Sequence, residues 1–329
     1  MSTLFTVVSG APRLVCRGVL AGAVALLAFT LPAHAQRSVD EKASADPQGE
    51  VEVLNLAGDI EVSGWDKPEV GVTGTVDNDS DKVELTTSGS RTSVRVVPHG
   101  IGSHHGDAHL AIHVPARGAF SATLVNADLK LHGLIGTVKV QSISGDVGGD
   151  VGADVKVTTV SGNVTLAAPQ SHSIEIRTIS GDIKVSGGTD EVEVSTVSGK
   201  AILELATISR GRFKSVSGDF TIRVALAPDA RLEGESVSGD LTFNFAGEPA
   251  GSTDVQTFSG SIENCFGPKP VESRYGPGSR LSFKNGDGRG QIHIDTKSGD
   301  VKLCVQGAGG RGDGGPGASG HTHGPVTPT

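Results

Sequence analysis

A short phrase built around Ser-Gly returns eight times between Val138 and Val305: SISGDV, TVSGNV, TISGDI, TVSGKA, SVSGDF, SVSGDL, TFSGSI and TKSGDV. Its glycines, Gly145, Gly162, Gly181, Gly199, Gly218, Gly239, Gly260 and Gly299, lie 17, 19, 18, 19, 21, 21 and 39 residues apart. A period near twenty marks a stack of coils, none of which can bury an apolar face except against its neighbours. Aligned on the glycine, apolar columns emerge. Five residues before it stand Val140, Val157, Ile176, Val194, Phe213, Val255 and Ile294. Two after it stand Val147, Val164, Ile183, Ala201, Phe220, Leu241, Ile262 and Val301, and two further on Leu166, Val185, Leu203, Ile222, Phe243 and Leu303. Period-two apolar residues of β-branched type predict strands with one buried face.

A further apolar column, two residues before the glycine, comprises Ile143, Val160, Ile179, Val197, Val216, Val237 and Phe258. On hydrophobicity it is expected inside as well, which requires the strand parity to slip by one residue and the chain to bend there. Ser-Gly-Asp suits such a corner, because glycine accepts φ > 0 and Ser or Asp can hydrogen-bond local backbone. The predicted fold class is all-β, a single-stranded parallel β-helix-like solenoid with coils of about 19 residues. Eight coils at about 4.8 Å each make a rod of roughly 40 Å.

Residues 1–35 read as a secretory signal peptide: Arg13 and Arg17 flank an apolar run from Gly18 to Leu31, and Ala33-His34-Ala35 supplies the small-residue cleavage site. The apolar run is short for a bilayer span. Cys16 precedes it, away from where a lipid-anchored cysteine would sit. Residues 36–49 are polar and are expected to form a flexible leader, 50–306 the solenoid, and 307–329 a disordered Gly-rich tail. Arg311-Gly312-Asp313 in that tail reads as an accident of composition. Removing the signal takes the formal charge from −9 to −11. So acidic a chain does not seek nucleic acid by bulk electrostatics. Aromatic residues make up only 4%, which argues against a sugar-stacking surface.

The opening Asn55-Leu56-Ala57-Gly58-Asp59-Ile60 with Gly64-Trp65-Asp66, the Ile112-His113-Val114-Pro115 strand and the recurring Thr-Val-Ser-Gly-Asp phrase carry a resemblance. Over about residues 50–306 the chain resembles the bacterial β-strand-repeat envelope family described as putative adhesins. The resemblance implies an exported, right-handed β-helix-like envelope protein, with adhesion suggested and no catalytic residues to carry over. The chain departs from the pattern at Ser209-Arg210-Gly211 and across 263–291, where the glycine spacing doubles. Residues 50–120 are expected to form less regular first coils, with Trp65 packing the end of the rod.

Cys265 and Cys304 both lie beyond the signal and five residues after their glycines. An even cysteine count in an exported chain favours a disulfide. A bridge needs Cα atoms about 4.4–6.8 Å apart, so residues 267–291 would then be an excursion from one coil. If they were a whole extra coil, the cysteines would stand about 9.6 Å apart and remain free. Asp146, Asp182, Asp219, Asp240 and Asp300 follow five of the eight glycines and form a candidate binding ladder. Asp after Gly is ordinary turn chemistry; Lys200 interrupts the ladder, and the ligand count per site is low for calcium. His99, His104, His105, His109 and His113 bunch near Asp107, with no recognisable metal-ligand spacing. The column six before the glycine is a mixed charged face with no acid-base constellation, so no enzyme is expected.

The expected function is that of a non-enzymatic, adhesin-like binder, periplasmic or at the cell surface, without cofactor or resident metal. Its partner is an envelope polysaccharide or protein held along the solenoid. An envelope-stress regulator or scaffold acting through a protein partner is the alternative, and a polysaccharide-acting enzyme on a β-helix comes third.

Overall fold

The computed structural model describes residues 37–76, 82–97, 107–152, 154–273 and 277–306. The expected signal peptide and tail, Arg311-Gly312-Asp313, and His99, His104 and His105 lie outside the described residues. Among those described there is no helix, and 23 strands form one continuous sheet. Through the middle of the chain each coil lies parallel on the last and in register, apart from local shifts at Leu131/Leu134, Glu204/Thr207 and Ile208/Arg210. Val147 pairs with Val164, Val164 with Ile183, Ile183 with Ala201, Ala201 with Phe220 and Phe220 with Leu241. Identical positions therefore stack, and the repeat becomes a set of straight side-chain columns.

The columns five before, two after and four after the glycine are buried and form one core. The column two before the glycine is not inside. Ile143 is 55% exposed, Val160 43%, Ile179 51% and Phe258 70%. The side chains that turn inward are instead those three before it: Ser142, Thr159, Thr178, Thr196, Ser215, Ser236, Thr257 and Thr296 are all buried. Strand alternation simply continues from the fifth to the third position, and the parity slips only across the corner itself, between the third residue before the glycine and the second after it. A small hydroxyl fits inside because it is satisfied locally. Thr178 Oγ1 donates to the Ser180 carbonyl at 3.2 Å and Thr196 Oγ1 to that of Ser198 at 3.0 Å.

Glycine at the corner answers to close approach. A Cβ on Gly181 would lie 2.1 Å from the Gly162 carbonyl oxygen, and one on Gly239 would lie 1.9 Å from that of Gly218. Gly181 also has φ +130°, a region closed to side chains, whereas Gly239 does not need it.

Over its described part, residues 37–49, the expected flexible leader of 36–49 is ordered. Arg37–Ser44 is a strand, paired antiparallel with Glu69–Val76 from Arg37↔Val76 to Ser44↔Glu69. Its order comes from main-chain hydrogen bonding to a sheet edge, which polar composition does not reveal; Val39 alone is buried. The first coil, Glu50–Trp65, is covered on its inner side by Ala119–Leu134 and on its outer side by Arg91–Val97 and Ala108–Pro115. Lys82–Ser88 and Glu69–Val76 then add antiparallel. Antiparallel strands close this end of the stack.

At the other end the chain leaves sequence order. Gly290–Thr296 and Val301–Val305 insert between the coil of Asp219–Phe245 and that of Gly251–Asn264. Gly234 pairs with Ile294 on one side and Val255 with Ile294 on the other, and Leu241↔Val301↔Ile262 repeats the arrangement. Residues 267–289 are an excursion whose strand Ser279–Asn285 caps Gly251–Thr257 antiparallel.

Candidate functional site

The exposed column makes a line. Val125, Ile143, Val160, Ile179, Val197, Val216 and Val237, each 38–55% exposed, follow one another over seven successive coils. At about 4.8 Å per coil the line is roughly 29 Å long. It stops where the inserted coil brings Lys297 beside Val237, because Ser236 pairs with Thr296; Phe258 lies one coil beyond. A groove of about 680 Å³ follows the line along Val197, Val216 and Val237, floored by Thr178 and Thr196 and edged by Lys214 and Lys297. Isolated apolar side chains on a surface need no explanation, but a continuous row of them does.

The flanks of the line are already occupied. On one side cross-coil ion pairs join Lys156 to Glu175 at 2.9 Å, Arg177 to Glu193 at 2.9 Å, Arg212 to Glu233 at 2.8 Å and Lys214 to Glu235 at 3.0 Å. On the other side runs the carboxylate ladder. Each rung accepts the main-chain N–H of the equivalent residue one coil on. Asp128 takes Asp146 N–H at 2.7 Å, Asp146 takes Asn163 at 2.7 Å, Asn163 takes Asp182 at 3.0 Å and Asp182 takes Lys200 at 2.8 Å. Beyond Lys200, which has no acceptor, Asp219 takes Asp240 at 3.0 Å, Asp240 takes Asp300 at 2.9 Å and Asp300 takes Ser261 at 2.7 Å. The five aspartates of the candidate ladder thus serve the fold, since each supplies an acceptor for a corner N–H of the next coil.

Cys265 and Cys304 are joined in a disulfide with Cα atoms 4.8 Å apart. The spacing is one coil step, as the excursion alternative requires. Glu263, Cys265 and Cys304 are the one group of three possible metal ligands among the described residues, and both sulfurs belong to the bridge. His109 and His113 separate: His109 Nδ1 meets Asp59 Oδ2 at 2.9 Å, while His113 packs on Trp65 with ring centroids 5.0 Å apart. Trp65 Nε1 donates to the Glu69 carbonyl at 2.8 Å, which holds the indole against the end strands.

The Asp150 carboxyl is held below its ordinary range, first by its hydrogen bond to His132 and then by the Gly133 N–H. Arg177 is held above its ordinary range by its bond to Glu193. Both are fixed in their charged forms, the opposite of what proton transfer near neutrality needs. Residue type and period reveal the aliphatic line in the sequence, but its side is not legible there, because an outward apolar column and an inward hydroxyl column reverse the usual pattern.

Parallel coils in register, polar corners capped from coil to coil and one uncovered aliphatic ridge define a β-solenoid. The chain belongs to the Toastrack DUF4097 family, which it matches over residues 46–304. Similar solved structures include a putative cell adhesion protein from Clostridium sporogenes, 10% identical, covering 82% of this chain and 100% of that one with a TM-score of 0.23. A putative lipid binding protein from Parabacteroides distasonis is 12% identical over 81% of this chain and 96% of its own, with a TM-score of 0.47. A putative adhesin from Bacteroides fragilis is 10% identical over 82% and 98%, with a TM-score of 0.42. No curated protein matches the chain.

Proposed function

We propose that this chain is an exported, non-enzymatic binding protein of the cell envelope that docks a protein partner along the aliphatic line from Val125 to Val237. The observation that carries the proposal is the exposure of that line in seven consecutive coils. Covering the exposed half of one Val or Ile is worth on the order of 1 kcal/mol. Seven in a row supply a gross attraction of the size that association must overcome. Aliphatic side chains suit another protein better than a polysaccharide, whose rings stack on aromatic faces, and none of the seven side chains of the line is aromatic. The leader sequence and the Cys265–Cys304 bridge support an oxidising, extracytoplasmic location.

The test is co-sedimentation of the mature chain with isolated envelope fractions, with and without chelator, alongside the variant Ile179→Asp with Val197→Asp. Saturable binding that ignores chelator and weakens at least tenfold in the variant is the expected result. Binding that the variant retains in full overturns the docking line.

A further inference from the structure

Twenty ångströms along the same strands from the aliphatic line, by strand rise, the pattern of charges changes. Over the middle coils charged neighbours on adjacent strands are mostly of opposite sign; where they are alike, as Lys139 beside Lys156 and Glu175 beside Glu193, Glu175 pairs with Lys156 and Arg177 bridges the two glutamates. At the C-terminal end Arg210 pairs in register with Arg231, then Arg231 with Gln291, Gln291 with Ser252 and Ser252 with Lys284. All five side chains are exposed on one face. Arg210 has Glu191 on its far side at 2.9 Å. Arg231, Lys284 and the neighbouring Arg289 have no ion-pair partner among the described residues. Together they line a groove of about 930 Å³ in which Asp229 is the single carboxylate.

Two like charges directly opposite on adjacent strands destabilise a sheet. That arrangement, in a chain of net charge −9, invites an anion to sit between the guanidinium groups, which are shaped for bidentate contact with phosphate or sulfate oxygens. The row spans four strand steps from Arg210 to Lys284, about 19 Å. Gln291 and Ser252 stand between Arg231 and Lys284 and can meet hydroxyl groups. Every lining residue is polar or glycine, so the groove has no seat for an acyl chain, and it has no aromatic side chain on which a nucleic-acid base could stack.

We propose that this groove is a second binding site, for a glycan chain bearing phosphate or sulfate groups. It is separate from the aliphatic line and takes a different class of ligand. The site is assembled only because Gly290–Thr296 inserts between Asp219–Ser236 and Gly251–Thr257, which brings Arg231, Gln291 and Ser252 side by side.

The test uses the mature chain with dextran sulfate as probe, neutral dextran as control, and phosphatidylglycerol vesicles as competitor. The variant is Arg231→Gln with Lys284→Gln and Arg289→Gln; the charge-matched control is Lys130→Gln with Lys139→Gln and Lys184→Gln. Calorimetric titration should show dextran sulfate binding that weakens at least tenfold in the groove variant and with a shallower salt dependence. The control variant should bind as the parent does, and neutral dextran should not bind. The groove variant should be no less thermally stable than the parent, since it removes a like-charge pair, so lost binding will not reflect lost folding. Equal weakening in both variants would reduce the effect to bulk charge and overturn the site. Undiminished binding in the groove variant, or displacement of the probe by the vesicles, would overturn it too.

Discussion

The middle coils, from Ala119 to Ser215, and the C-terminal coils, from Asp219 to Val305, solve the same problem differently where they stack. In the middle, each coil lies on its predecessor in chain order, and the core is aliphatic: Val140, Val157, Ile176 and Val194 succeed one another. Around the coils where the glycine spacing lengthens to 21 residues, phenylalanine enters the core. Phe213, Phe220, Phe243, Phe245, Phe266 and Phe283 form a chain of ring contacts with centroids 5.9–6.1 Å apart. There the chain order breaks, a coil is inserted, and a disulfide ties the inserted coil to the outermost one. Regular repetition needs only neighbours in sequence, whereas an end needs distant segments to close it. The two candidate surfaces divide along the same boundary. Repetition produces the aliphatic line, and insertion ends it at Lys297 and assembles the cationic row.

The largest test of this contrast is removal of the clamp. The bridged residues are 39 apart in sequence, and a cross-link closing a loop of that size stabilises by about 4 kcal/mol in the chain-entropy view. Cys265→Ser with Cys304→Ser should lose stability of that order in chemical denaturation. Hydrogen exchange should place the loss in residues 251–305 and leave the middle coils protected; uniform loss would mean the two regions unfold as one.

Next in size are corner substitutions. Gly181→Ala combines a 2.1 Å approach to the Gly162 carbonyl with φ +130°, and should cost about 2–4 kcal/mol. Gly239→Ala meets the Gly218 carbonyl at 1.9 Å without that backbone strain. It should cost less by about 1–2 kcal/mol. Equal losses in urea titrations would show that crowding alone dictates glycine in both regions.

Smaller again is the ladder. Asp182→Ala strips the acceptor from the Lys200 N–H and should cost about 1 kcal/mol. Asp182→Asn should be close to neutral, because Asn163 already accepts the N–H of Asp182 in the same way. A cost as large for Asn as for Ala would show that charge, rather than an acceptor, is what the corner requires.

The smallest effect belongs to pH. The Asp150 carboxyl titrates below its ordinary range through its His132 and Gly133 contacts. Its contribution is therefore fully present above the ordinary carboxylate pKa and disappears as pH falls through the lowered folded value. The melting-temperature advantage of the parent over Asp150→Asn should accordingly shrink on acidification from pH 6 to pH 3; an advantage that grows would reverse the assignment.

Strand periodicity, the Ser-Gly-Asp corners and the doubled glycine spacing were enough to establish an all-β parallel solenoid and to single out Cys265 and Cys304. These are local matters, since period-two alternation and turn chemistry act over a few residues, and each coil repeats them. The tertiary structure decided which way Ile179 and Thr178 point, because parity is anchored by the stacked neighbours on which a strand registers. It also ordered Arg37–Ser44 through main-chain pairing that no side-chain pattern announces. Finally, it set Gln291 between Arg231 and Ser252 across gaps of 60 and 39 residues. A one-dimensional repeat specifies the contacts between successive coils; which coil lies beside which at the ends is settled only when all the exposed strand edges compete for partners.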